Sequence, residues 1–206
     1  MSLDTVQNKP SPSMLRAAVS ARDAGRVAEL LQQGADPCQR ADTGITLLEQ
    51  AIGGGHDEVV EAFLQNGFDP DFRDKEGNTL VIRAVLFDRP LMLYLLRKYD
   101  ANMDLKDDGG RTALMHAASI NRIESVECAR VLLECGADPD KEDSDGKNAL
   151  TRAERGGRAE IADMIRTASE ARAAEKAAGA EEARQQESAR LQARVKSRTA
   201  TIRIRL

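Results

Sequence analysis

Apolar residues along the chain recur at the spacing of amphipathic helices. Leu47, Leu48 and Ala51 share one helical face, and the apolar residues of the stretch 59–64 share another. Three glycines at 53–55 separate the two stretches, and glycine disfavours a continuous helix. The pattern predicts two short helices joined by a tight turn.

The same arrangement occurs several times along the chain. One marker is Gly-x-Asp-Pro, with Asp-Ala-Asn-Met in one copy, and it occupies 34–37, 67–70, 100–103 and 136–139. A second marker is a glycine followed two residues later by Thr or Asn, at Gly44, Gly77, Gly110 and Gly146. Both markers advance by 33, 33 and 36 residues. Two markers that keep the same phase through a three-residue insertion predict a tandem helical repeat.

These units resemble the ankyrin repeat, whose unit has about 33 residues and opens with Thr-Pro-Leu-His-x-Ala. The corresponding openings begin at Ser13, Thr46, Thr79, Thr112 and Asn148. All five lack the Pro and the His, and the His position holds Arg16, Glu49, Ile82, Met115 and Thr151. This departure predicts a scaffold less stable than an idealised array.

The resemblance implies an all-α fold, an ankyrin-repeat solenoid of five helix–turn–helix units with short hairpin-like loops and a C-terminal helical extension. We expect a flexible segment over residues 1–12, five repeats over 13–169, and an Ala/Glu/Arg-rich helical tail with a basic end over 170–206. In such an array each unit buries its apolar face against its neighbours.

The resemblance also implies that a partner protein binds the concave surface formed by the loop tips and the first helices. The corresponding tip residues are Asp42, Thr43, Ile45, Lys75, Glu76, Asn78, Asp108, Arg111, Ser144, Asp145 and Lys147. The corresponding helix residues are Leu86, Phe87, His116, Ser119 and Ile120. We expect His116 to be a surface contact.

Each of two sequence features allows two interpretations. Leu86 and Phe87 stand where another unit has Gly53 and Gly54, so they are either an apolar binding anchor or side chains that pack under the turn. The three-residue insertion lies within 119–127. It either lengthens the turn between the helices or adds almost one turn to the second helix.

Composition narrows the class of ligand. The chain has 206 residues and a net charge of −4, although residues 170–206 are basic, and aromatic residues make up only 3%. Nucleic-acid binding draws on clustered Lys and Arg and on aromatic stacking, so we expect no nucleic-acid partner. Since no apolar run is long enough to span a bilayer, we expect no membrane partner.

The sequence offers little for catalysis, cofactors or metals. Gly53-Gly54-Gly55 lacks the Lys and Ser/Thr of a phosphate-binding loop, and the acidic stretch 138–146 lacks the Gly and Glu spacing of a calcium loop. His56 and His116 lie in different units. Three cysteines without a framework spacing indicate a reducing compartment, so we expect a cytoplasmic location. We expect no enzyme activity, no cofactor and no metal.

The C-terminal segment 168–196 is predicted to be helical, because it is rich in Ala, Glu, Arg and Gln. We expect an exposed helix there, with an Ala face folded back on the last unit as the alternative. Residues 199–206 alternate like a strand, or form a disordered end.

The function expected from these features is that of a non-enzymatic protein–protein interaction module, monomeric by itself. Two alternatives remain. One is a secreted effector that engages a host protein, because the Arg-rich C-terminus resembles the ends of some bacterial secreted substrates. The other is an accessory or immunity factor that inhibits a partner enzyme.

Overall fold

The computed structural model describes residues 10–41 and 44–203, with side chains to residue 190. Ten helices lie in this part of the chain. They are α1 (Pro12–Ser20), α2 (Ala24–Gln32), α3 (Leu47–Gly54), α4 (Asp57–Gln65), α5 (Leu80–Leu86), α6 (Pro90–Lys98), α7 (Ala113–Ser119), α8 (Ile123–Glu134), α9 (Ala149–Arg155) and α10 (Ala159–Arg203). First helices pack on first helices from α1 to α9, and second helices pack on second helices from α2 to α8. The all-α repeat fold predicted from the sequence is confirmed.

Four of the first helices, α3, α5, α7 and α9, begin alike because the same chemistry recurs at their N-termini. The hydroxyls of Thr46, Thr79 and Thr112 each accept a hydrogen bond from the backbone N–H three residues later. The side-chain oxygen of Asn148 does the same at α9. In α3, the carboxylate of Glu49 also accepts a bond from the Thr46 N–H at 2.7 Å. Each such cap stabilises the chain by about 1 kcal/mol.

The second helices of the first four pairs end in a left-handed residue that turns the chain into the next loop. Gly34, Gly67 and Gly136 supply φ values between 83° and 90°, where glycine has no Cβ to clash. In the third pair the same place is taken by Asp100, at φ 61°. A single aspartate in this conformation is tolerated, because its short polar side chain suits the left-handed region better than a branched one.

The core runs through the helix pairs as layers of equivalent residues. Leu15, Leu48, Val81 and Leu114 occupy one position in successive units and are at most 1% exposed. Leu150, at the same position in the fifth pair, is only partly buried. Burying one such side chain contributes about 2 kcal/mol, so the array is held together by contacts between neighbours.

The chain divides into two compact units, the first ending at Ile165 and the second beginning at Arg166. Side chains 170–190 are all exposed, as predicted for an exposed helix. Neither alternative for 199–206, a strand or a disordered end, holds for residues 199–203, which lie in α10 and follow a strongly helix-forming segment. Residues 204–206 lie outside the described part. Although α10 is long, no helix among the described residues is both long and apolar enough to cross a membrane.

Candidate functional site

The loop before each first helix from α3 to α9 folds into a short hairpin, and we call these hairpins tips 2 to 5. Tip 2 is 41–45, tip 3 is 74–78, tip 4 is 107–111 and tip 5 is 143–147. In each tip the N–H of the first residue donates to the carbonyl of the last at 2.7 to 2.9 Å. The four tips therefore share this closing hydrogen bond.

Tips 3, 4 and 5 are fixed by an aspartate at their first residue, namely Asp74, Asp107 and Asp143. One carboxylate oxygen of each accepts two backbone N–H groups of its own tip at 2.7 to 2.9 Å. The other oxygen accepts from a side chain nine residues later. The three donors are Arg83, His116 and Arg152. Tip 2 has Ala41 at this place and lacks the arrangement.

These bonds set the ionisation of the aspartates. Burial alone would raise the pKa of Asp107, but bonds from the Arg111 N–H and from His116 outweigh it, so its pKa is lowered. For Asp143 the Lys147 N–H contributes most, and its pKa is lowered to about 2 despite opposing desolvation. Both carboxylates are therefore anionic when they hold their tips together.

Arg83 also connects the second and third units. Its side chain is 12% exposed and lies 2.5 Å from Asp74, 2.9 Å from Glu76 and 3.5 Å from Glu49. Glu49 belongs to α3 and its side chain is only 3% exposed. One half-buried cation thus pairs with carboxylates from two neighbouring units.

Consecutive tips touch one another. A Cβ added at Gly44 of tip 2 would lie 3.7 Å from Nζ of Lys75 in tip 3. A Cβ at Gly77 would collide with the Asp108 carboxylate of tip 4. A Cβ at Gly110 would lie 2.5 Å from Oγ of Ser144 in tip 5. The four tips therefore form one continuous row, which we call the tip row.

The structure sorts the sequence-predicted contact residues by their exposure. The exposed ones are Lys75, Glu76, Phe87, Asp108, Arg111, Ser119, Ser144 and Asp145. The half-buried ones are Ile45, Leu86, Ile120 and Lys147. Asp42 and Thr43 lie outside the described residues. The tip row thus brings together most of the predicted tip residues.

Asn78 and His116 differ from the prediction, because each is only 8% exposed. The Asn78 N–H donates to Asp74 at 2.9 Å, which holds this residue inside its hairpin. Nε2 of His116 lies 2.8 Å from Oδ2 of Asp107. Burial lowers the pKa of His116 despite its hydrogen bond to Asp107, so the ring is a neutral donor rather than a surface contact.

Leu86 and Phe87 combine both interpretations given by the sequence. Leu86 packs against the core. The ring of Phe87 lies over the preceding unit, where a Cβ at Gly53 would be 3.4 Å from its carbons, yet the side chain stays 38% exposed. The Gly53 gap is filled by this ring, so much of the Phe87 surface serves packing between units.

The three-residue insertion lengthens a helix. The turn 120–122 before α8 has the same three-residue length as the turn 87–89 before α6, whereas α8 has 12 residues and α6 has nine. The added turn presents Ile123, which is 88% exposed. Of the two interpretations offered by the sequence, the longer second helix is confirmed.

The described side chains that could bind a metal or act as nucleophiles do not form a reactive cluster. No cluster of His, Cys, Asp and Glu suited to a metal ion occurs among the described residues. Desolvation, then Asp36, raises the pKa of the exposed Cys38 thiol, and burial raises the pKa of Cys128 to about 12. These thiols are therefore poor nucleophiles.

The arrangement that sequence reasoning missed is the pairing of each tip aspartate with a side chain nine residues later. The spacing from Asp74 to Arg83 recurs in the next two units and is visible in the sequence. His116 hides this recurrence because it differs chemically from Arg83 and Arg152, although all three donate to a carboxylate.

Comparison with known families identifies the repeat. A family model described as ankyrin repeats (3 copies) matches residues 15–107 and again 87–175. Together the two matches span more than half of the chain. Comparison with curated proteins gives no significant match.

Proposed function

Because this chain belongs to the ankyrin repeat family, we propose that it is a non-enzymatic module that binds another protein through the tip row and the adjoining ends of the first helices. Ankyrin repeats are in general protein–protein interaction modules. The proposal takes residues 13–169 as five repeats and residues 170–206 as a separate tail.

The observation that carries the proposal is the continuity of the tip row. Each tip is closed by a backbone hydrogen bond, and three are further fixed by a buried aspartate. Exposed Lys75, Asp108 and Asp145 project from this fixed backbone. A surface that is already ordered loses little conformational entropy on binding, which favours affinity for a macromolecular partner.

The chemistry along the row suits recognition better than catalysis. Asp74, Asp107 and Asp143 are occupied by hydrogen bonds within their own units. The net charge of −4 disfavours nucleic acid as the ligand. We place the protein in the cytoplasm as a monomer that needs no cofactor.

The test begins with a partner captured from the native host by the full chain, identified by mass spectrometry and purified. Binding is then measured by calorimetry for a tip variant, Lys75→Ala with Asp108→Ala and Asp145→Ala. The control removes the same charges from second helices, as Arg97→Ala with Glu58→Ala and Glu124→Ala. We expect the tip variant to weaken binding about tenfold or more.

The control variant should stay within about twofold of wild type, since rim charges away from an interface contribute little. Thermal unfolding of both variants checks that the array remains folded. Equal losses, or a larger loss in the control, would overturn the proposal.

A further inference from the structure

A polar groove of about 320 Å³ lies where the fourth and fifth units meet. Ser119 at the end of α7 and Lys147 of tip 5 line this groove. Arg152 and Arg155 of α9 also line it. The groove therefore adjoins the tip row and contains three of the predicted contact residues, Ser119, Asp145 and Lys147.

The cationic side chains of this groove have few anionic or hydrogen-bonding partners. Arg152 pairs with Asp143, but its Nε is buried without a hydrogen-bond partner. Arg155 is exposed and makes no ion pair with any described residue. The pair of Lys147 with Asp145 spans 3.3 Å between side chains that are 41% and 72% exposed, so solvent screens it.

The equivalent place two units earlier shows what is missing. Arg83 is equivalent to Arg152 and has Glu49 of the preceding unit within 3.5 Å, besides Asp74 and Glu76. The residue equivalent to Glu49 beside Arg152 is Met115, which carries no charge. Arg152 also acts on His116, whose pKa is lowered first by burial and further by Arg111 and Arg152, with Asp107 opposing them.

From these observations we propose that the groove binds a Glu or Asp side chain of the partner protein. The carboxylate supplies, from the groove, the negative charge that Glu49 supplies beside Arg83, since the place of Glu49 itself is filled by the buried Met115. A guanidinium presents a planar fork of donors that matches a carboxylate, and a partly desolvated fork binds it more strongly than an exposed one. This inference rests on the proposed protein-binding function and names the chemistry of its ligand.

The experiment uses the full chain labelled with ¹⁵N and a defined probe, the acetylated and amidated tripeptide Ala-Glu-Ala. Side-chain Nε–H signals of the arginines are followed by NMR during titration. We expect saturable shifts at Arg152 and Arg155. The matched peptide Ala-Gln-Ala should produce none, because it lacks the charge.

Two variants locate the binding. Arg155→Gln should weaken the glutamyl peptide about tenfold, the change that corresponds to about 1.4 kcal/mol for a charge-assisted contact. Arg97→Gln, which removes another exposed arginine, from α6, should leave the affinity unchanged. Equal shifts at arginines across the surface, or an unchanged affinity in Arg155→Gln, would overturn the carboxylate site.

A second arm separates this inference from the proposed function. Binding of the purified partner is measured with Arg155→Gln and with the tip variant. Loss in both supports the groove as the carboxylate site. Loss in the tip variant alone leaves the binding module intact and rejects the groove, whereas loss in neither rejects the proposed function itself.

Discussion

Nε2 of His116 lies 2.8 Å from Oδ2 of Asp107, and both side chains are buried at the base of tip 4. The pair occupies the place that an arginine–aspartate pair occupies in the units on either side. Because the imidazole titrates near neutral pH and a guanidinium does not, the three equivalent tips should respond differently to acid.

Stability should therefore fall on mild acidification, in part through His116. Its folded pKa is lowered from 6.5 by burial and by the nearby cations Arg111 and Arg152, with Asp107 opposing. A lowered folded pKa stabilises the protein above the unfolded pKa, and this contribution is lost as pH falls through the folded value. Asp107 stays ionised across this window, because its own pKa is lowered from 3.8.

The measurement is the free energy of unfolding in urea at about pH 7.5 and about pH 5.5, for wild type and His116→Gln. We expect a smaller loss on acidification in the variant. His56, whose pKa is lowered first by burial, contributes the same sign in both proteins and cancels from the comparison. An identical loss in the two proteins would contradict the role assigned to His116.

Replacing Arg83 should lower the free energy of unfolding strongly for a residue near the surface. Arg83→Gln leaves Glu49 and Asp74, with side chains 3% and 1% exposed, without their cation. Breaking a buried pair in this way costs about 3 kcal/mol. The matched change Arg111→Gln, at a side chain 44% exposed beside Asp107, should cost less than about 1 kcal/mol. Equal losses in urea unfolding would rule out the network as a link between units.

Contact between tips predicts different costs for two similar glycines. Gly110 and Gly146 have φ values of 75° and 72° in equivalent hairpins. Alanine at Gly146 meets nothing within 4 Å and should cost about 1 kcal/mol for its left-handed backbone alone. Alanine at Gly110 also meets Oγ of Ser144 at 2.5 Å and its N at 2.8 Å, which adds about 1–3 kcal/mol.

The unfolding free energies of Gly110→Ala and Gly146→Ala test the contact between tips 4 and 5. If the two variants lose the same stability, tips 4 and 5 do not touch as described.

Alanine variants of Phe87 and Leu91 compare a side chain that packs on the preceding unit with one that is mainly exposed. Phe87→Ala should cost about 1–2 kcal/mol, since its ring covers Gly53 of the preceding unit. Leu91 is 69% exposed, and Leu91→Ala should change stability by less than about 0.5 kcal/mol. Thermal denaturation of both variants provides the test, and a Phe87→Ala protein as stable as wild type would make this side chain a purely surface residue.

Local chemistry explains which parts of the fold the sequence predicts. The threonine caps at 46, 79 and 112 and the left-handed glycines act within four residues, so their phase locates the helices. The long helix after Ala159 follows from Ala- and Glu-rich composition in the same way. Helical propensity also overrode the alternation of residues 199–203.

Burial and contacts between units could not be predicted in this way. His116 appears as an accessible polar residue in the sequence, and only the fold brings Asp107 onto it. The exposed fraction of Phe87 depends on Gly53, which is 34 residues away. The insertion could be placed on either side of a turn, because both a longer loop and a longer helix keep the repeat in phase.

Site-specific photocrosslinking to the purified partner tests whether binding uses the tip row. A benzoylphenylalanine probe replaces Asp108 of tip 4 in one protein and Glu127 of α8 in another, two exposed residues of the same unit. We predict that the partner is crosslinked from position 108 and not from position 127. Crosslinking from position 127 alone would show that the partner binds the second helices, and the tip row would no longer be the binding surface.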